Sequence, residues 1–188
     1  NKNFAVFVDT YLPFHPENKF DTNLFINPKE YYDSLVKFFN IFKAKTKLDV
    51  VIALYPKADL KKYPQNFKRF KMYNDKTADL IRASKIVFHH GSTAQSYAII
   101  YKKPTIVLTS NQMVKLEYLY DHTFRRYLLE SKQINVDQID YEFISNRKKL
   151  FYYNKKIYKN YLENYLKHPN SENKPWYEVL NKYIEKNF

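Results

Sequence analysis

Short apolar runs alternate with longer amphipathic stretches along the first two thirds of the chain. Phe4-Ala-Val-Phe-Val8 reads as a first strand, Asp49-Val-Val-Ile-Ala-Leu-Tyr-Pro56 as a second, and Ile86-Val-Phe88 and Thr105-Ile-Val-Leu108 as two more. These runs are β-branched or aromatic and barely alternate with polar residues, as strands covered on both faces require. A short strand is expected at Arg69–Tyr73, and Ile134-Asn-Val136 reads as a last edge strand. Pro28 suits a first helical turn, and Tyr31, Leu35, Phe38, Phe39 and Phe42 form the stripe of a helix running to about Lys45. Helices are also expected over Asp75–Ser84, from Ser92 or Thr93 to Lys103, over Leu116–Ser131, through a long Tyr-rich region after Asp140, and over Trp176–Asn187. In that last helix Trp176, Val179, Leu180, Tyr183 and Ile184 are the expected packed face.

Strands alternating with helices predict an α/β fold, a Rossmann-like parallel sheet with helices on both faces. The predicted division is a Rossmann-like domain over 1–135 and a helical carboxyl-terminal extension over 136–188 packed on it. The 188 residues, 45% hydrophobic, suffice for one core. No apolar run approaches the ~20 residues needed to span a bilayer. Cysteine is absent, which excludes disulfides, thiolate metal sites and a cysteine nucleophile and fits a cytoplasmic setting. Asn1 in place of Met suggests a trimmed or partial chain.

The formal net charge is +13, favouring nucleotides, nucleic acid or acidic head groups as partners. Lys, Asn, Tyr, Phe and Ile are all over-used, as in AT-rich genomes, and at least half of the basicity follows from that bias. The charge is scattered rather than blocked. Arg125-Arg126 is the only adjacent arginine pair. Nucleic acid is therefore the less favoured partner, and contact with an anionic membrane at its inner face stays open.

Gly91 is the only glycine, so neither a G-x-G-x-x-G loop nor a Walker loop can exist. Gly91 follows the Ile86 strand and precedes a helix, with Ser92 and Thr93 beside it. Glycine permits positive φ and close approach, and free N–H groups plus two hydroxyls suit a phosphate. A plain strand-to-helix turn with a Ser/Thr cap is the competing reading. His89 and His90 should point to opposite sides of a strand, and no H-x-E or H-E-x-x-H pattern occurs, so no metal site is expected. Of the two, His90 is the one expected in the cleft. Asp9 ends the first strand and could orient a hydroxyl or act as a base, with a loop hydrogen bond as its plainer role. Asn111 is placed in a loop whose amides could reach a sugar or phosphate.

His90-Gly91-Ser92-Thr93-Ala94, then Tyr97-Ala98 and Lys103-Pro104, resembles a signature of GT-B nucleotide-sugar transferases, notably those of bacterial capsule, teichoic acid and lipopolysaccharide synthesis. The resemblance runs from about Phe4 to Leu108. It implies the donor-binding half of such an enzyme, with sheet order 3-2-1-4-5 and its ligand at the switch point. It implies that His90, Gly91, Ser92 and Thr93 hold donor phosphates. Tyr55-Pro56-Lys57 resembles a His-Pro-basic element in which the histidine meets the nucleotide; Tyr55 replaces that histidine, and Lys57 would reach phosphate. Asn74 and Thr77 would lie beside the base. Tyr97 stands where many of these enzymes carry an acid against the ribose, which weakens UDP and leaves CMP- or CDP-linked donors open. The resemblance implies no cofactor beyond the activated sugar, no bound metal, a saccharide or lipid-linked acceptor, and an amino-terminal GT-B domain outside this chain that often supplies the base. A nucleotide-sugar 2-epimerase and a non-catalytic anion- or nucleic-acid-binding module are the alternatives.

Overall fold

The computed structural model describes residues 3–19, 25–115, 132–167, 169–172 and 174–187. Its centre is a six-stranded, wholly parallel sheet: β1 (Phe4–Val8), β2 (Asp49–Ala53), β3 (Lys71–Tyr73), β4 (Ile86–His89), β5 (Thr105–Thr109) and β6 (Gln133–Asn135). The order is β3-β2-β1-β4-β5-β6, which makes the fold a doubly wound, Rossmann-like α/β domain. In register, Val8 lies beside Ala53 on one side and His89 on the other.

The pleat divides β1 between two cores. Ala5 and Phe7 join a large aromatic cluster under α1 (Pro28–Thr46), while Val6 and Val8 join a smaller one with Val87, Ala98 and Ile81. Ile81 belongs to α2 (Thr77–Ala83) and Ala98 to α3 (Gln95–Ile100). On the α1 face, Phe88 meets Phe38 and Phe42 edge-on at 5.3 and 5.0 Å, and Phe7 meets Phe39 at 5.3 Å. Such pairs add about 0.5–1.5 kcal/mol each beyond area burial. Asn27 caps α1, its side chain accepting from Lys29 and Glu30 N–H, and Pro28 opens the helix.

With a single glycine in the chain, left-handed backbone falls to other residues: Tyr11, Lys47, Asp75 and Lys102 all have positive φ. Lys102 ends α3 in a Schellman turn, Lys103 N–H donating to the Ala98 carbonyl and Lys102 N–H to that of Ile99.

Several expectations need correction. Asn111 and Gln112, expected in a loop, are helical: α4 spans Asn111–Lys115. The region after Asp140 is not one long helix. It divides into α5 (Tyr141–Ser145), α6 (Arg147–Leu150), α7 (Lys155–Tyr161) and a π turn (Leu162–Leu166), because Asn146 and Asn154 each cap the helix that follows. α5 packs on α1, and the Tyr158 hydroxyl donates to the Lys103 carbonyl at 2.8 Å. In α8 (Trp176–Asn187), Val179, Leu180, Tyr183 and Ile184 are exposed rather than packed. The helix expected over Leu116–Ser131, with Arg125-Arg126, lies outside the described residues. Among the described residues no helix is long and apolar enough to cross a membrane.

Candidate functional site

A cleft of about 920 Å³ opens at the carboxyl edge of the sheet, where the strand order reverses between β1 and β4. Ligands bind at this place in open α/β sheets. The ends of β1 and β2 contribute Asp9, Thr10 and Tyr55; α2 contributes Thr77; and the turn between β4 and α3 contributes Gly91, Ser92 and Thr93, with Tyr97 beyond it.

Gly91 has φ 80°, a conformation that a Cβ would disfavour. Its N–H donates to His89 Nδ1 at 3.0 Å. The Ser92 hydroxyl accepts from Ala94 N–H at 3.2 Å. This is a local Ser turn and not the expected cap, since α3 starts at Gln95 and has no side-chain cap. The N–H groups of Ser92 and Thr93 make no hydrogen bond among the described residues. Two unused donors and the exposed Thr93 hydroxyl therefore lie at the cleft.

Asp9 is almost fully buried at the end of β1. Its Oδ1 accepts from Tyr11 N–H at 2.9 Å, and its Oδ2 accepts a short hydrogen bond from the Tyr63 hydroxyl. Burial pushes its pKa up to about 6, against the lowering effect of those two donors. The local bond is the loop contact expected of it. The bond to Tyr63 crosses from the β2–β3 connection and has no local signal. Tyr11 lies flat against Tyr55 at 6.2 Å, with His15 edge-on to Tyr55 at 5.2 Å.

His90 does not enter the cleft. Strand alternation turns it to the α1 face, with Phe7 at 5.2 Å and Tyr31 at 5.5 Å. Its Nδ1 lies 2.7 Å from the Leu108 carbonyl, which can only accept, so Nδ1 carries the proton. His89 takes the other tautomer, because its Nδ1 accepts from Gly91 N–H. Burial holds both rings neutral, His89 at about 3 and His90 at about 4; the charge of His90 adds to the effect on His89, while the Leu108 bond opposes it on His90.

Of the other predicted residues, Tyr55, Thr77 and Tyr97 reach the cleft. Lys57 is exposed in the turn after β2 and does not line it. Asn74 is exposed and donates to Asp75 Oδ2 at 3.0 Å. Asn111 sits over β5 and β6, where its N–H donates to Asp137 Oδ2 and its Oδ1 accepts from Asn135 and Gln138. The loop after β1, expected to line a site, brings Thr10 and His15 to the cleft and Tyr11 beside it; Tyr63 is the addition that sequence reasoning missed.

The site is thus the switch-point cleft of a doubly wound α/β domain. No protein-family model and no curated protein matches the sequence. Among solved structures, the chain is similar to the spinosyn forosaminyltransferase SpnP, at 15% identity and TM-score 0.40, over 78% of this chain and 34% of that one. It is also similar to the glycosyltransferase of kitacinnamycin, at 13% identity and TM-score 0.39, over 85% of this chain and 38% of that one. The chain thus spans little more than a third of either structure. The fold assignment rests on the strand order and not on these likenesses.

Proposed function

We propose that this chain is the donor-binding domain of a GT-B-type glycosyltransferase of bacterial cell-surface polysaccharide synthesis. The observation that carries the reading is the Gly91–Thr93 turn opening on the switch-point cleft beside Asp9, Tyr55, Thr77 and Tyr97. The donor is a CMP-, CDP- or UDP-activated sugar or polyol phosphate, and the acceptor a saccharide or lipid-linked chain.

In this reading the Ser92 and Thr93 N–H groups and the Thr93 hydroxyl receive the donor phosphates. As the bond to the sugar breaks, charge grows on the leaving phosphate, and these preset donors hold it without reorganising. Gly91 keeps the turn open to that approach. Tyr55 and Tyr97 offer ring faces to the nucleoside, and Thr77 a hydroxyl. Asp9 orients a sugar hydroxyl, with its own position fixed by Tyr63 and Tyr11. A partner GT-B domain supplies the acceptor surface and the base.

The test is calorimetric titration with CMP, CDP, UDP, GDP and ADP at two salt concentrations. Preference for one nucleotide is expected, with its affinity weakened in Ser92→Ala/Thr93→Ala through loss of the Thr93 hydroxyl. Equal, salt-sensitive binding of all five, unchanged in that variant, would leave a general anion-binding module.

A further inference from the structure

The opposite edge of the sheet carries a second cavity, of about 470 Å³, where β4 and β5 begin. Lys85, Lys102, Lys103 and Arg147 all line it, and no carboxylate does. Among the described residues none of the four is in an ion pair. Lys103 is held in place by the Ser84 carbonyl, 2.9 Å from its Nζ, and the Arg147 guanidinium lies 5.5 Å from the Phe151 ring centre. Like charges gathered without a counter-charge repel, and an anion between them removes the repulsion.

Lys102 and Tyr153 also line an adjoining groove of about 440 Å³ between α3 and α7. Ile99, Ile100, Tyr158 and Leu162 give it an apolar side, and it carries one more cation, Lys155, beside Lys159, which is paired with Glu163 at 3.7 Å. Ile100 is 47% exposed, a large apolar side chain that faces the groove half-covered. A basic cavity continuous with an apolar groove matches an amphiphile in both charge and polarity.

We infer that the two cavities form one binding site for a phosphate group carried on an apolar chain, a single phospholipid-type molecule. The phosphate lies among Lys85, Lys103 and Arg147, whose fork suits bidentate contact, and the chain lies along Ile100 and Leu162. Lys102 joins the two halves. The site is separate from the switch-point cleft, shares no lining residue with it, and does not depend on the glycosyltransferase reading.

The experiment is calorimetric titration of the whole chain with monomeric dihexanoyl phosphatidic acid, with dihexanoyl phosphatidylcholine and inorganic phosphate as comparisons. Phosphatidic acid should bind at least about tenfold tighter than either, and Lys85→Ala/Arg147→Ala should weaken it by about tenfold or more. Both substituted side chains are exposed, so the melting temperature should hold. Ser92→Ala/Thr93→Ala should bind the lipid as the wild type does. Phosphatidylcholine or inorganic phosphate binding as tightly as phosphatidic acid would overturn the proposal, as would undiminished binding in Lys85→Ala/Arg147→Ala.

Discussion

The Tyr63 hydroxyl donates to the Asp9 carboxylate across 54 residues of sequence. It joins the β2–β3 connection to the end of β1, at the point where the cleft opens. Tyr32 and Phe67 hold the Tyr63 ring, at 5.5 and 5.6 Å. The carboxylate is therefore positioned by the core and not by solvent.

Removing the donor tests that positioning. Tyr63→Phe leaves Asp9 Oδ2 buried without its partner, at a cost of about 1–3 kcal/mol. The carboxyl should then titrate above its present value of about 6, because a contact that lowers it is gone. Denaturant unfolding measures the first change and carbon-13 NMR of the carboxyl the second. An unmoved titration would show that Tyr63 does not set the charge on Asp9.

Acid stability follows from three buried groups. Asp9 is raised from 3.8 to about 6, so its contribution is full below about 4 and is lost as pH rises through 6. His89 and His90 are lowered from 6.5 to about 3 and about 4, so theirs is full above 6.5 and is lost as pH falls. Between pH 4 and 6 the unfolded chain binds two more protons on the histidines and the folded chain one more on Asp9. From these groups stability should rise with pH by about 1.4 kcal/mol per unit, and in Asp9→Asn by about 2.7 kcal/mol per unit. Urea melts of both proteins across that range give the difference in slope, in which the remaining groups cancel. Equal slopes would mean that Asp9 does not titrate in the window.

Lys47 ends α1 with φ 63°, its N–H donating to the Lys43 carbonyl. Glycine takes this conformation without the Cβ clash. Lys47→Gly should therefore stabilise the protein by about 0.5–1 kcal/mol, after the greater entropy of glycine in the unfolded chain is subtracted. The midpoint of urea unfolding should move upward.

Gly91 should show the reverse. At φ 80° in a buried turn, Gly91→Ala should cost about 1–2 kcal/mol, and Gly91→Asn less, because asparagine tolerates left-handed backbone. A thermal melt of each variant ranks them. Equal loss in both would place the damage in side-chain volume and not in backbone conformation.

Most of the sheet was legible in the sequence because its strands are covered on both faces and read as unbroken apolar runs. Phe4–Val8 has its expected bounds, and Pro28 marks the first residue of α1. The carboxyl-terminal region misled because its apolar spacing is mostly three to four residues and steps by four across Asn154, although it lapses over Ser145–Lys149 around Asn146. The side-chain caps of the two asparagines show that the helix restarts. In the site, the Gly91–Thr93 turn was legible from a lone glycine between strand and helix. His90 was not, because β4 continues through His89 and its alternation turns the next side chain toward α1. Tyr63 left no signal at all: a long-range partner for a buried carboxyl has no fixed spacing.

α3 is a rod of six residues, about 9 Å long at 1.5 Å per residue. One end continues into the turn at the cleft. At the other, its closing turn is pinned, because the Tyr158 hydroxyl holds the carbonyl of Lys103. A short rod clamped at its far end cannot swing to absorb a displacement at its near end. The carboxyl-terminal segment, far from the cleft in sequence and in place, thus sets how stiffly Ser92 and Thr93 are presented there.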